Sequence, residues 1–148
     1  MALITPFDDF PIHQTAETLA VPSSSDRNHY DRYWFNGFSE EKDFLFEIGV
    51  GFYPNRHIMD AHFSISTAGK QYSYHASARM NPARYPINIG PISLEILEPM
   101  QKIRFSLKDP EKKLSCDLIF NAVTEPHLEP KSLTVSYTHL TLPTSFLV

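Results

Sequence analysis

One cysteine, one tryptophan and five glycines among 148 residues leave this chain few of the residues that announce chemistry. The lone Cys116 excludes an internal disulfide and a cysteine-rich metal site. There is no glycine-rich phosphate loop, no serine–histidine–aspartate order and no zinc spacing. Thirteen Lys and Arg stand against 17 Asp and Glu, so no basic surface offers itself to nucleic acid or to an anionic membrane. No apolar run approaches the length of a membrane span. The N-terminus, "MALITPFDDFP", carries acids and prolines where a signal peptide would carry an apolar segment. The expectation is a cytoplasmic protein with no cofactor, no metal, no nucleic-acid partner and no membrane span.

What the chain has is aromatic residues, 13% of the total, with 11 Phe and 7 Tyr, in alternation with polar ones. Alternation at period two is the signature of a strand with one face buried, and a one-residue slip would turn every side chain over. In "HIMDAHFSISTAGKQYSYHASAR" a turn at Ala68-Gly69 sets Ile65 opposite Tyr72, Phe63 opposite Tyr74, Ala61 opposite Ala76 and Met59 opposite Ala78. The other face then pairs Ser64 with Ser73, His62 with His75 and Asp60 with Ser77. In "PISLEILEPMQKIRFSLK" a turn at Pro99-Met100 sets Ile96 opposite Ile103, Leu94 opposite Phe105 and Ile92 opposite Leu107, with Glu95 facing Arg104. A turn through "DPEK" predicts Phe105 against Cys116, Ile103 against Leu118 and Arg104 against Asp117. Glu95, Arg104 and Asp117 would form an exposed charge ladder that sets register and solubility.

A loop at "SEEK" in "RYWFNGFSEEKDFLFEIGVGFY" pairs Phe35 with Phe46 and Tyr33 with Ile48, leaving Gly49 and Gly51 on the opposite face, where a strand could bend. The fold class is therefore all-β: an antiparallel meander of about seven strands, a lipocalin-like half or incomplete β-barrel. Residues 1–27 read as an N-terminal arm or cap rather than core, 28–130 as the β domain and 131–148 as linker end plus tail. The string Val135 to Thr144, "VSYTHLTLPT", matches one reading frame of a transposase-type sequencing adapter residue for residue. The expectation is a tail foreign in origin and a natural chain interrupted near Thr134.

The stretches "RYWFNGF", "GFYPNR..MDAHFS" and "GPISLEILEP", within about Asn28 to Glu129, resemble the N-terminal half of an uncharacterised bacterial lipocalin-like family. That family is related to carotenoid 1,2-hydratase (hydroxyneurosporene synthase) and to the AttH proteins. The resemblance implies two lipocalin-like barrels in tandem, of which this chain would supply the first, its partner being the missing second barrel. It also implies a lipophilic ligand of isoprenoid, steroid or polyene type, with hydratase, isomerase or cyclase activity in the intact protein. The motifs belong to strands and none is catalytic, so no residue here takes a catalytic role from them.

Asp60, His62 and His75 form the one constellation suited to acid/base or metal chemistry. They fall on the polar face, opposite Phe63 and Tyr74, where solvated decoration is the simpler reading. Tyr33, Phe35, Ile48, Phe46, Phe63, Tyr72 and Tyr74 share the inward face and are the ligand-binding candidates. They either line a cavity or fill the barrel themselves. Buried phenols need partners, which tilts the balance to a cavity. Trp34, placed across from Glu47, either stacks on a ligand or packs against the arm. "YPNRH" reads as a turn at a barrel mouth, and Cys116 as a buried apolar residue. An enzyme would need a protonatable group in the apolar cavity, and the inward candidates are mostly tyrosines, weak acids near neutrality. A non-catalytic carrier or structural barrel is the alternative.

Overall fold

The structure, a computed structural model, describes residues 4–128. The expected linker end and the adapter-like string lie outside them. The chain is all-β, with two four-stranded antiparallel sheets that do not close into a barrel. The first sheet is β1 (Asp31–Phe38), β2 (Phe44–Tyr53), β3 (Ile58–Thr67) and β4 (Lys70–Arg79), in that spatial order. The second is β5 (Ile87–Ile89), β6 (Ile92–Glu98), β7 (Lys102–Asp109) and β8 (Leu114–Asn121), again in sequence order. The eighth strand beyond the seven expected is β5, whose three residues are too few to show an alternation.

The β3–β4 register agrees pair for pair with the expectation, Ile65 on Tyr72 through Asp60 on Ser77. A two-residue loop explains it: Ala68 and Gly69 both take positive φ (46° and 75°), which suits the twist of a tight hairpin. Ile96 on Ile103, Leu94 on Phe105 and Ile92 on Leu107 also hold. There the turn takes in Gln101, and a bulge between Ile96 and Glu98 absorbs the extra residue.

Two hairpins differ by two residues. Phe35 faces Ile48, Tyr33 faces Val50 and Gly37 faces Phe46, because the loop begins at Glu40 and not at Ser39. Ser39 stays paired: its amide donates to the Phe44 carbonyl at 3.2 Å, and its hydroxyl holds Asp43. Likewise Phe105 faces Leu118, Ile103 faces Phe120 and Leu107 faces Cys116, because Asp109 remains in β7 and its carboxylate accepts the Lys112 amide at 3.0 Å. In each case a Ser or Asp side chain ties the turn from outside it. Starting a turn one residue later shifts register by two, so every residue keeps its face. The charge ladder survives as a diagonal, with Arg104 donating to both Asp117 oxygens at 2.8 and 2.6 Å while Glu95 lies 4.0 Å away.

The apolar faces of the two sheets meet in one core. Phe35 stacks on Phe120 with centroids 4.6 Å apart, and Phe63 on Phe105 at 6.0 Å. Ile48, Ile89, Phe105 and Leu107 are wholly shielded from solvent. Cys116 is half-buried, and burial pushes its thiol up to about 11, leaving it protonated and unreactive at neutral pH.

The N-terminal arm is more than a cap. Ile12 and Leu19 are fully buried members of the core, contrary to the expectation that residues 1–27 stay outside it. Polarity of sequence around them hid two apolar residues with no period to betray them. Arg84 fastens the arm by donating to the carbonyls of Pro11, Ile12, Thr15 and Glu17. Asp31 accepts the Ile12 amide at 2.7 Å, and the Asp9 carboxylate accepts the Met100 amide at 2.8 Å. The "YPNRH" turn is clamped too: the Asn55 amide donates to the carbonyls of Ser24 and Asp26 at 2.8 and 2.7 Å.

Candidate functional site

The inward aromatic face held the ligand-binding candidates, and the structure buries most of them between the two sheets. Phe35, Phe46, Ile48 and Phe63 are buried against the second sheet, and Phe35, Phe46 and Phe63 stack or tilt on Phe120 and Phe105. The Tyr33 hydroxyl donates to the Asp9 carbonyl at 2.5 Å, so the arm supplies the partner that a ligand was expected to supply. Burial, reinforced by Asp9 and Asp31, holds that phenol far above its ordinary pKa of 10.0. Tyr74 is buried, with Lys112 over its ring at 4.4 Å; burial and the Asp109 carboxylate raise its pKa. Tyr72 departs from the group. It has the inward parity but lies 54% exposed on the edge strand β4, although Phe46 in the same row is buried.

The opposite face of the first sheet holds a groove. Successive rows across β1–β4 read Arg32, Gly51, Asp60, Ser77 and then Trp34, Gly49, His62, His75. In each row β2 contributes a glycine, so a channel runs between the side chains of β1 and those of β3 and β4. Its volume is about 440 Å³, and Tyr53 closes one side. The space over the glycines is already used in part. A β-carbon at Gly49 would strike the His62 ring, and one at Gly51 would lie 2.7 Å from Asp60 Oδ1 and 3.0 Å from the Tyr53 ring. The glycines were read as places for a bend. Their structural effect is to let imidazole, carboxylate and phenol fold down onto the strand.

Around this floor the groups are ordered. His62 presents Nε2 to Glu47 Oε1 at 3.1 Å, which orients the imidazole. The edge of Trp34 meets His62 with centroids 5.8 Å apart, and His62 tilts against His75 at 5.9 Å. The Arg32 guanidinium lies 5.3 Å over the indole. Trp34 therefore packs against Arg32 and His62, facing Gly49 and not Glu47 across the ladder. Burial raises the Asp60 carboxyl above its ordinary 3.8, with His62 and His75 pulling the other way. Burial, then Asp60, raises the Tyr53 phenol, which stacks on Tyr30 at 5.9 Å.

Asp60, His62 and His75 thus lie on the outer face, as their parity required, and the structure brings them together along a groove open to solvent. Among the described residues no group of three His, Cys, Asp or Glu is arranged to hold a metal ion. Sequence reasoning missed Arg32, Tyr53 and the Glu47–His62 pair. The two-residue register difference hid that pair's setting, since Glu47 was placed opposite Trp34. The readable signal was the i, i+2 spacing of Gly49 and Gly51, which strips one face of a strand bare.

A second hollow of about 660 Å³ lies at the hairpin ends, lined by Phe38, Phe44, Leu45, Lys42, Asp43 and the β3–β4 turn. A family model described as "Family of unknown function (DUF8625)" matches residues 4–146. The chain belongs to that family. The matched span runs through the 135–144 string. No curated protein and no solved structure matches the chain. Among the described residues no helix is long and apolar enough to cross a membrane.

Proposed function

We propose that this domain is a non-catalytic binding module whose site is the glycine-floored groove on the outer face of the first sheet. One observation carries the reading: the inward aromatics are buried in the core between the sheets, while Trp34, Arg32, Asp60 and both histidines line a groove over Gly49 and Gly51. A concave site of several hundred Å³ with a few convergent polar groups is the usual form of a small-molecule site. Catalysis by proton transfer favours a donor held against a water-excluded substrate. Here His62 is committed to Glu47 in an open channel, which supports binding over turnover.

Trp34 is the sole tryptophan, so its emission reports on the groove without labelling. Screening a fragment library against the full chain should give saturable changes in Trp34 emission, with amide shifts gathered at residues 32–34, 49–53, 60–62 and 75–77. Fragments that shift only residues elsewhere would overturn the assignment.

A second reading keeps the lipophilic ligand that the lipocalin-like resemblance implies, within an intact two-barrel protein. The hollow bordered by Phe38, Phe44 and Leu45, beside exposed Tyr72, supports it, because these apolar groups face solvent uncovered. The ligand would then lie at the hairpin ends and not between the sheets. Quenching of a bound fluorescent fatty acid by Leu45→Asp separates the two readings.

A further inference from the structure

Resting on the groove as the binding site, we infer that its ligand is a neutral polyhydroxylated ring, a saccharide. The argument begins with unused acceptors. The Asp60 carboxylate is partly desolvated yet accepts no hydrogen bond among the described residues; His62, His75 and Tyr53 address it through electrostatics alone. Among the described residues His75 makes no hydrogen bond; it meets the His62 ring and acts on Asp60 through electrostatics. A half-buried carboxylate with no protein donor has acceptor capacity left for the donors of a ligand. Vicinal hydroxyls do this, each able to donate to Asp60 or an imidazole and to accept from Arg32 or Tyr53.

The remaining walls narrow the class. Trp34 and Tyr53 both line the groove, and aromatic surface suits the C–H face of a flat-lying ring. The site's own charges nearly cancel: Arg32 against Asp60, with Glu47 engaged by His62. A strongly anionic ligand would meet Asp60, and a cationic one would compete with Arg32 for the indole. A long alkyl chain would leave Asp60 and His75 buried without partners. Gly49 and Gly51 matter because their missing β-carbons let the His62 ring, the Asp60 carboxylate and the Tyr53 ring lie low, so that a ligand ring meets these groups along the groove.

The test titrates the full chain with neutral monosaccharides (glucose, galactose, mannose, xylose) and their disaccharides, reading Trp34 emission and amide shifts. At least one should saturate, with shifts at Gly49, Gly51, Asp60 and His75. Asp60→Asn should weaken its binding by about tenfold, as the loss of charge-assisted hydrogen bonds predicts. Arg104→Ala, on the other sheet, should leave it unchanged. Asp60→Glu, which keeps charge but moves it, serves where Asp60→Asn loses amide dispersion, and should also weaken binding. Saturation by lauric acid or by hexylamine at the same residues, with no response to sugars, overturns the saccharide class and leaves the groove standing. Sugar binding indifferent to both Asp60 variants overturns the inference as well. Silence of Trp34 and of the groove amides to every probe sinks the groove itself.

Discussion

The two sheets are built alike and finished differently. Each is a four-stranded antiparallel meander with an apolar inner face. On the outer face of the second sheet Arg104 reaches Asp117 on one neighbouring strand and lies 4.0 Å from Glu95 on the other. On the outer face of the first, β2 offers glycine at two consecutive outward positions, and neighbours lean into the gap. The first surface is a register device and the second a concavity. Removing side chains from one strand converts a flat polar face into a place where a molecule can sit.

Five substitutions, with Arg104→Ala as a control, press on this comparison. Phe105→Ala, at a fully shielded position between the sheets, should cost about 3–5 kcal/mol and affect both faces by loosening the common core, read by urea denaturation. If that cost proves small, the interior is not filled as described and the lipophilic cavity regains ground. Arg84→Ala frees four arm carbonyls and should cost about 2 kcal/mol. Limited proteolysis should then cut near Thr15, a site protected in the parent.

The acid titrations of the two outer faces should have opposite signs. Burial raises Asp60, so its proton is held more firmly in the folded chain. Its contribution favours folding below the ordinary 3.8 and is lost as pH climbs through the raised value. Hydrogen bonding from Arg104 lowers Asp117, whose contribution is present above 3.8 and lost as pH falls through the lowered value. Asp60→Asn should therefore stabilise the domain at about pH 7 and not near pH 3, while Asp117→Asn does the reverse of the first and converges with the parent in acid. Thermal melts across that range, showing the same sign for both, would erase the distinction.

The smallest effect belongs to the groove floor. In Gly49→Ala the new methyl displaces an imidazole that can swing aside, so the stability change should stay under about 1 kcal/mol. The His62–Glu47 contact should nevertheless break, visible in the His62 ring resonances and in Trp34 emission. Arg104→Ala, its counterpart on the second sheet, should leave both signals as they were.

Facing was legible in the chain and register only in part. Tight turns at Ala68-Gly69 were readable because both positions demand positive φ. The "SEEK" and "DPEK" loops were misplaced by one because Ser39 and Asp109 look like turn residues, yet act from the strand ends. Nothing local marked Ile12 and Leu19 as core, since an arm without a period gains its place only from what it meets.

Alternation in the sequence by itself determined that this is an antiparallel meander, which residues share a face, and that Asp60, His62 and His75 point together and outward. Tertiary structure alone decided that the aromatic face closes on a second sheet in one core, and that the arm completes that core. It decided too that Trp34, Arg32 and Tyr53 join the histidines over a bare strand. Side-chain facing follows from the two-residue period of one strand. Cavities and convergent sites depend on how separate strands are registered and stacked, and that is settled by turns and packing partners far away in the chain.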